Sequence, residues 1–217
     1  MADLSAALGL AAAWMPRLLT ATALTLAIAA AVFTISAVFG LLLALVNRDA
    51  PRPLRWAIEA FSGVLRAIPE LVVLFAVFFG GRQIGAAIDP VASTILAFGL
   101  VGIAYDFQVF KGALGVIPEG QFEAGRALGM RPWQVYGAVV LPQLLPIARK
   151  GWITYAIGTI KRISIASAIS VSELMYVTKQ AIAASNAPFL FLSLATGLYV
   201  LIVMPLLAFN ERQPAHR

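Results

Sequence analysis

The chain has no cysteine, and its one histidine is His216. Disulfides and thiolate metal sites are thereby excluded, as is histidine-centred acid–base catalysis within the body of the chain. Charge is also scarce. Charged residues make up 12% of the 217 residues, against about 25% in an ordinary soluble domain. Between Leu18 and Asn47 there is no charged side chain, and between Gln180 and Asn210 there is none either. No tract is of low complexity, no internal repeat is visible, and no stretch reads as a soluble domain.

What is present is apolar surface. Hydrophobic residues account for 61%, with mean hydropathy +0.89. One globule of this size cannot hide so much, so lipid is the expected solvent. The net charge of +6 does not point to nucleic acid, because the basic residues stand singly between apolar runs rather than along one face. The expectation is an all-α polytopic membrane protein, a single domain over 1–217 with about five spans: 18–46, 56–80, 91–117, 143–168 and 188–209. The first uncharged run, 18–47, would be about 45 Å long as a helix, more than the ~30 Å hydrocarbon core. Ala27-Ile28-Ala29 resembles a leader cleavage site, but the run is far longer than the ~7–15 residues of a leader's apolar region. Residues 1–17 read as a separate lead, and 211–217 as a polar tail.

Lysine and arginine set the expected orientation. With the N-terminus outside, the inner side holds nine: Arg48, Arg52, Arg55, Arg126, Arg131, Arg149, Lys150, Arg212 and Arg217. The outer side holds three: Arg17, Arg82 and Lys179. This puts the one long polar connection, 118–142, in the cytoplasm.

That connection reads as helix, glycine turn, helix. Gly129 suits a left-handed cap, where a Cβ is penalised. Pro132 suits the first position of a following helix, where no N–H is needed. Glu123 and Arg126, three apart, could pair on one face. Gly120 to Ala127 has the glycine spacing of a phosphate loop, but no Lys-Ser/Thr follows and no strand precedes it.

Charges also interrupt the middle spans: Arg66 and Glu70 around Pro69, Asp106 and Lys111, then Lys161 and Arg162. A charge at the bilayer centre costs about 2.5–3.5 kcal/mol on insertion scales, so each needs a partner or a wet path. Arg66 and Glu70, four apart, could form a local pair, and Lys161 could snorkel to an interface. Arg162 needs a carboxylate from Glu70, Asp106, Glu173 or a substrate. Ser164 and Ser167 follow at helical spacing, either offering hydroxyls to a path or packing helices.

The polar connection carries a resemblance. Glu123-Ala124-Gly125, then Gly129, Val139 and Leu141-Pro142 are similar to the E-A-A-x-x-x-G-x(9)-I-x-L-P motif of ABC importer permeases. Only Gly125 and Val139 depart from it. Arg66-Ala67-Ile68-Pro69-Glu70-Leu71-Val72, Ile117-Pro118-Glu119-Gly120-Gln121 and Lys161 to Ser167 resemble segments of the polar amino acid uptake subfamily. The resemblance covers roughly 18–210. It implies the type I importer permease fold and a protein that is not an enzyme and carries no cofactor. ATP would be bound by a cytoplasmic ATPase dimer docked on the polar connection. A second permease subunit, identical or paralogous, and an extracytoplasmic binding protein would complete the assembly in a bacterial inner membrane. Glu123, Ala124, Gly125, Gly129, Leu141 and Pro142 would be the coupling residues; Arg66, Glu70, Lys161, Arg162, Ser164 and Ser167 would line the path. The subfamily commonly has aspartate where Arg162 stands, and often glutamate where Gln108 stands. Two changes toward positive charge suggest an acidic or carboxylate-rich substrate, held bidentately by the guanidinium. An enzyme would need a nucleophile, a paired acid and base, or a histidine cluster. A secondary carrier would be expected to show inverted repeats.

Overall fold

The computed structural model describes residues 2–211, and among them the regular structure is helical throughout. The first helix, α1 (Ala2–Asp49), runs unbroken through Pro16 for 48 residues. The expected boundary between a lead and a first span does not exist. Beyond a helix's first turn a proline leaves a carbonyl one turn back without its backbone donor, yet α1 continues through Pro16. The side chains of Thr20, Thr22, Thr25 and Thr34 bond back to carbonyls four residues earlier, inside its own turns.

The expected span 56–80 is not one rod. It is α2 (Arg52–Ala67) followed, after extended residues Ile68 and Pro69, by α3 (Glu70–Phe75), a π-helical stretch Ala76–Gly80 and α4 (Gly81–Gln83). The two halves meet at 100°. Pro69 explains the break, because proline excludes the residue before it from the helical region. Next is α5 (Pro90–Leu114), capped by Asp89, whose carboxylate accepts from the Val91 and Ala92 amides.

After the polar connection, α8 (Leu141–Arg162) passes into a 3-10 stretch, Ile163–Ile169. The expected helix to 168 therefore changes pitch at Arg162. A short helix that the sequence reading lacked, α9 (Leu174–Ser185), precedes α10 (Pro188–Glu211). The fully buried Glu173 caps α9, accepting from the Met175 and Tyr176 amides. Three helices are long and apolar enough to cross a bilayer, or four if the bent α2–α3 pair is one span. The fourth expected span, 143–168, which corresponds to α8, is not among them because Arg149, Lys150, Lys161 and Arg162 lie within it.

α1 and α5 cross closely because each brings small residues to the contact. A Cβ on Gly40 would meet Asp106 Cβ at 2.7 Å, and one on Gly102 would meet Ser36 Cβ at 2.6 Å. Ser36 and Gly40 are one helical turn apart, as are Gly102 and Asp106, the small-residue spacing that lets membrane helices approach. These contacts run in the same order along both helices, so α1 and α5 are parallel. α8 runs the opposite way, with Gly151 against Val109 and Tyr155 stacked on Tyr105. Trp14 meets Phe191 edge-on, which sets the starts of α1 and α10 side by side. The C-terminal end of α1 and the polar connection thus share the opposite end of the bundle.

Candidate functional site: a polar hairpin and an intramembrane charge cluster

The polar connection folds as its local chemistry dictates. α6 (Glu119–Ala127) ends at Leu128, and Gly129 follows at φ +73°. The Met130 amide bonds back to the Gly125 carbonyl at 3.1 Å, and the Gly129 amide to that of Arg126 at 3.0 Å. This pair of bonds is a Schellman cap, and it needs a left-handed residue where glycine stands. Pro132 opens α7 (Pro132–Gln134), whose start is held by the Arg131 amide donating to Gln134 Oε1 at 2.8 Å. A π-helical stretch, Val135–Val140, then joins α7 to α8. Leu141 is the first residue of α8, and Pro142 lies exposed in its first turn, where a missing N–H costs nothing.

The hairpin's residues do not all face the same way. Glu123, Ala124 and Gly129 are exposed, whereas Gly125 is buried with a Cβ position 2.8 Å from Val135 Cγ2. Glycine at 125 is therefore what allows α6 to lie on Val135; the residue faces its own chain rather than outward. The expected Glu123–Arg126 pair is not the one formed. Arg126 reaches Glu119 at 3.6 Å, and Glu119 is shared with Arg48 at the end of α1. The Arg48 guanidinium also lies over the Phe122 ring, 3.3 Å from its centroid. Tyr136 donates to Asp49, and burial together with that carboxylate pushes the phenol above its ordinary range. Two residues that sequence reasoning passed over stand out at the tip. Leu128 is 81% exposed and Trp133 68% exposed. The signal was there: two large apolar side chains flanking a glycine inside an otherwise polar loop.

The second constellation lies where the α2–α3 break meets the end of α8. Arg162 Nε is 3.2 Å from Glu70 Oε1, its Nη2 donates to Thr159 Oγ1 at 3.0 Å, and its guanidinium lies 4.6 Å from the Tyr155 ring centre. Of the four carboxylate sources expected for Arg162, Glu70 is the one observed. The expected local Arg66–Glu70 pair is absent for a geometric reason. Ile68 and Pro69 are extended, so positions 66 and 70 no longer share a helix face, and Arg66 Nε donates to the Ser62 carbonyl instead.

Asp106 belongs to the α1–α5 crossing. It is fully buried and accepts from Ser36 Oγ at 2.6 Å. Lys111 pairs with Glu59 at 2.7 Å, and Gln108 donates to Ser62, which donates to the Ala104 carbonyl. These three contacts zip α2 antiparallel onto α5. Lys161 is exposed. The two serines do not share one role. Ser164 donates to the Lys161 carbonyl at 2.8 Å, whereas Ser167 accepts from Lys179 at 2.9 Å.

Apolar helices long enough to cross a bilayer, charges paired inside the bundle and one capped polar hairpin at its end describe a polytopic membrane protein. The chain belongs to the binding-protein-dependent transport system inner membrane component family, whose profile matches residues 36–212. It is 31% identical over 201 residues to an octopine transport system permease of Rhizobium meliloti, covering 87% of this chain and 85% of that one. It is 26% identical over 211 residues to an arginine ABC transporter permease of Escherichia coli K12, covering 86% and 89%. A crystal structure of an amino acid ABC transporter with histidines contains a chain of the same fold, with TM-score 0.82 at 21% identity over 92% of this chain and 94% of that one. The resemblance carried by Glu123 to Pro142 therefore holds. The protein is an ABC importer permease of the polar amino acid type, a multi-pass inner-membrane subunit and not itself an enzyme. Membership in the family implies an ATPase and a binding protein as partners.

Proposed function

We propose that the chain forms half of the translocation path of an importer for amino acids or amino-acid-like solutes, with a second permease subunit as the other half. The N-terminus of α1 is outside and the end of α10 is cytoplasmic, an orientation favoured by the nine-to-three distribution of basic residues. The polar hairpin is the coupling element, and a cytoplasmic ATPase docks on it. The observation that carries this reading is the hairpin tip: Leu128 and Trp133 stand exposed beside a Schellman cap at one end of the bundle. Arg48 ties the same hairpin to the end of α1, so a push on α6 is transmitted to the longest helix.

For the substrate, the Glu70–Arg162 pair supports a zwitterion. The substrate carboxylate would exchange for Glu70 on the Arg162 guanidinium, and its ammonium would take Glu70. The permeases of octopine and arginine systems among its relatives agree with an amino-acid-derived solute. Because Arg162 stands where aspartate is common, carboxylate-rich solutes are favoured over basic ones. Arg66 and Lys161 add positive charge along the same route, and Ser164 and Ser167 line the turn beyond Arg162.

Two experiments test this. Ala124→Trp, on the exposed face of α6, is expected to leave the permease folded and abolish substrate-stimulated ATP hydrolysis in the reconstituted assembly. Normal transport by that variant would remove the docking role. Arg162→Asp is expected to shift preference from acidic toward basic amino acids in uptake competition; an unchanged preference would end the charge argument.

A further inference from the structure

A cavity of about 270 Å³ opens between the ends of α1, α2 and α5, beside the polar hairpin. Its wall includes Asn47, Arg48, Arg55, Glu59 and Lys111. Three cations and one carboxylate line it, so the space carries an excess of positive charge. The cations are held in place by other contacts. Arg55 Nη2 donates to the Arg48 and Ala50 carbonyls, Lys111 pairs with Glu59, and Arg48 is fixed by Glu119 and Phe122. Each nevertheless keeps donors to spare, since a guanidinium has five N–H groups and an ammonium three. Asn47 completes the wall, its side-chain amide donating to the Glu59 carboxylate. The residue is 96% buried, being 4% exposed, and its Oδ1 has no hydrogen-bond partner.

We infer that this cavity binds the phosphodiester of an anionic glycerophospholipid headgroup, such as that of phosphatidylglycerol. The phosphate oxygens accept from Arg55, Lys111 and Arg48. Basic pockets between membrane helices at the cytoplasmic side are suited to such headgroups, because the anionic leaflet supplies them at high local concentration. The location gives the site a consequence. Arg48 lines the cavity and also holds Glu119 of α6, so an occupant shares an arginine with the hairpin. That the headgroup comes from the cytoplasmic leaflet rests on the orientation proposed above; the binding itself does not.

The test is binding of phosphatidylglycerol to the full chain, read by native mass spectrometry and by displacement of a fluorescent phosphatidylglycerol in nanodiscs of neutral phosphatidylcholine. Such discs expose both faces, so the outcome is independent of orientation and of ATPase coupling. Arg55→Gln/Lys111→Gln is expected to weaken binding about tenfold or more. Glu59→Gln is expected to tighten it severalfold, because it removes the one carboxylate in the wall. An ion pair with a purely structural role would predict no tightening. Soluble glycerol phosphate competing as well as the lipid would assign the same site to a free phosphate ester. No preference for phosphatidylglycerol over phosphatidylcholine, with neither ligand affected by the variants, would overturn the site.

Discussion

The polar hairpin and the intramembrane charge cluster are both islands of polarity in an apolar chain, yet they are built in opposite ways. The hairpin is local. Its caps join residues no more than five apart, and its charged side chains remain largely in water. The cluster is non-local. Glu70 and Arg162 are separated by 92 positions, and Ser36 and Asp106 by 70. Water forgives a misplaced charge at the surface, whereas at membrane depth each charge must find its partner. The same residue types are therefore expected to differ sharply in how much they matter to folding.

That difference can be broken by mutation, beginning with the largest effect. Glu70→Ala leaves Arg162 without its carboxylate. A fully buried pair loses roughly 3–5 kcal/mol when one partner is removed, and partial exposure of this pair lowers the expectation to about 2–3 kcal/mol. Thermal unfolding in detergent should show it, and Glu70→Gln/Arg162→Gln should recover much of the loss. Glu123→Ala on the hairpin should stay within about 0.5 kcal/mol. Equal unfolding temperatures for the two single variants would erase the distinction.

Gly125→Ala comes next, because the added methyl meets Val135. Overpacking of this kind costs about 1–2 kcal/mol. Gly125→Ala/Val135→Ala should restore both stability and stimulated ATP hydrolysis; failure to rescue would mean that this contact does not set the hairpin's shape. Gly129→Ala is expected to cost about 1 kcal/mol through its positive φ alone, detectable as faster proteolysis within the hairpin. Arg48→Gln follows, at about 0.5–1 kcal/mol, since the Glu119 side chain is 61% exposed although that of Arg48 is only 20% exposed. Its expected signature is weaker coupling of ATP hydrolysis to transport at nearly unchanged stability.

Much of the hairpin was legible because its signals are short-range. Gly129, Pro132 and the spacing from Glu123 to Pro142 each act on neighbours along the chain. What could not be read there was direction: that Gly125 turns inward onto Val135, and that Arg126 takes Glu119 rather than Glu123. Both depend on where α6 lies against the following segment. The cluster was legible only as a requirement. Uncharged runs on either side make Arg66, Glu70, Asp106, Lys161 and Arg162 conspicuous, but hydropathy carries no information on which charge meets which. Pro69 was visible as an interruption; the 100° turn that separates Arg66 from Glu70 was not. α9 escaped because it is a 12-residue helix lying between a 3-10 stretch and α10, with no hydropathy boundary of its own. The continuity of α1 escaped because the uncharged run begins only at Leu18, directly after Arg17.

By itself the sequence determined the solvent, the helical class, the capped hairpin and, through a motif of fixed spacing, the family. Each of these follows from composition or from residues within a few turns of one another. Only the tertiary structure decided that Arg162 belongs to Glu70, that Ser36 belongs to Asp106, and that Arg48 joins the first helix to the hairpin. Those pairings arise where helices cross, and the crossings depend on small residues such as Gly40 and Gly102 that let backbones approach, a property of the packed bundle rather than of any one segment.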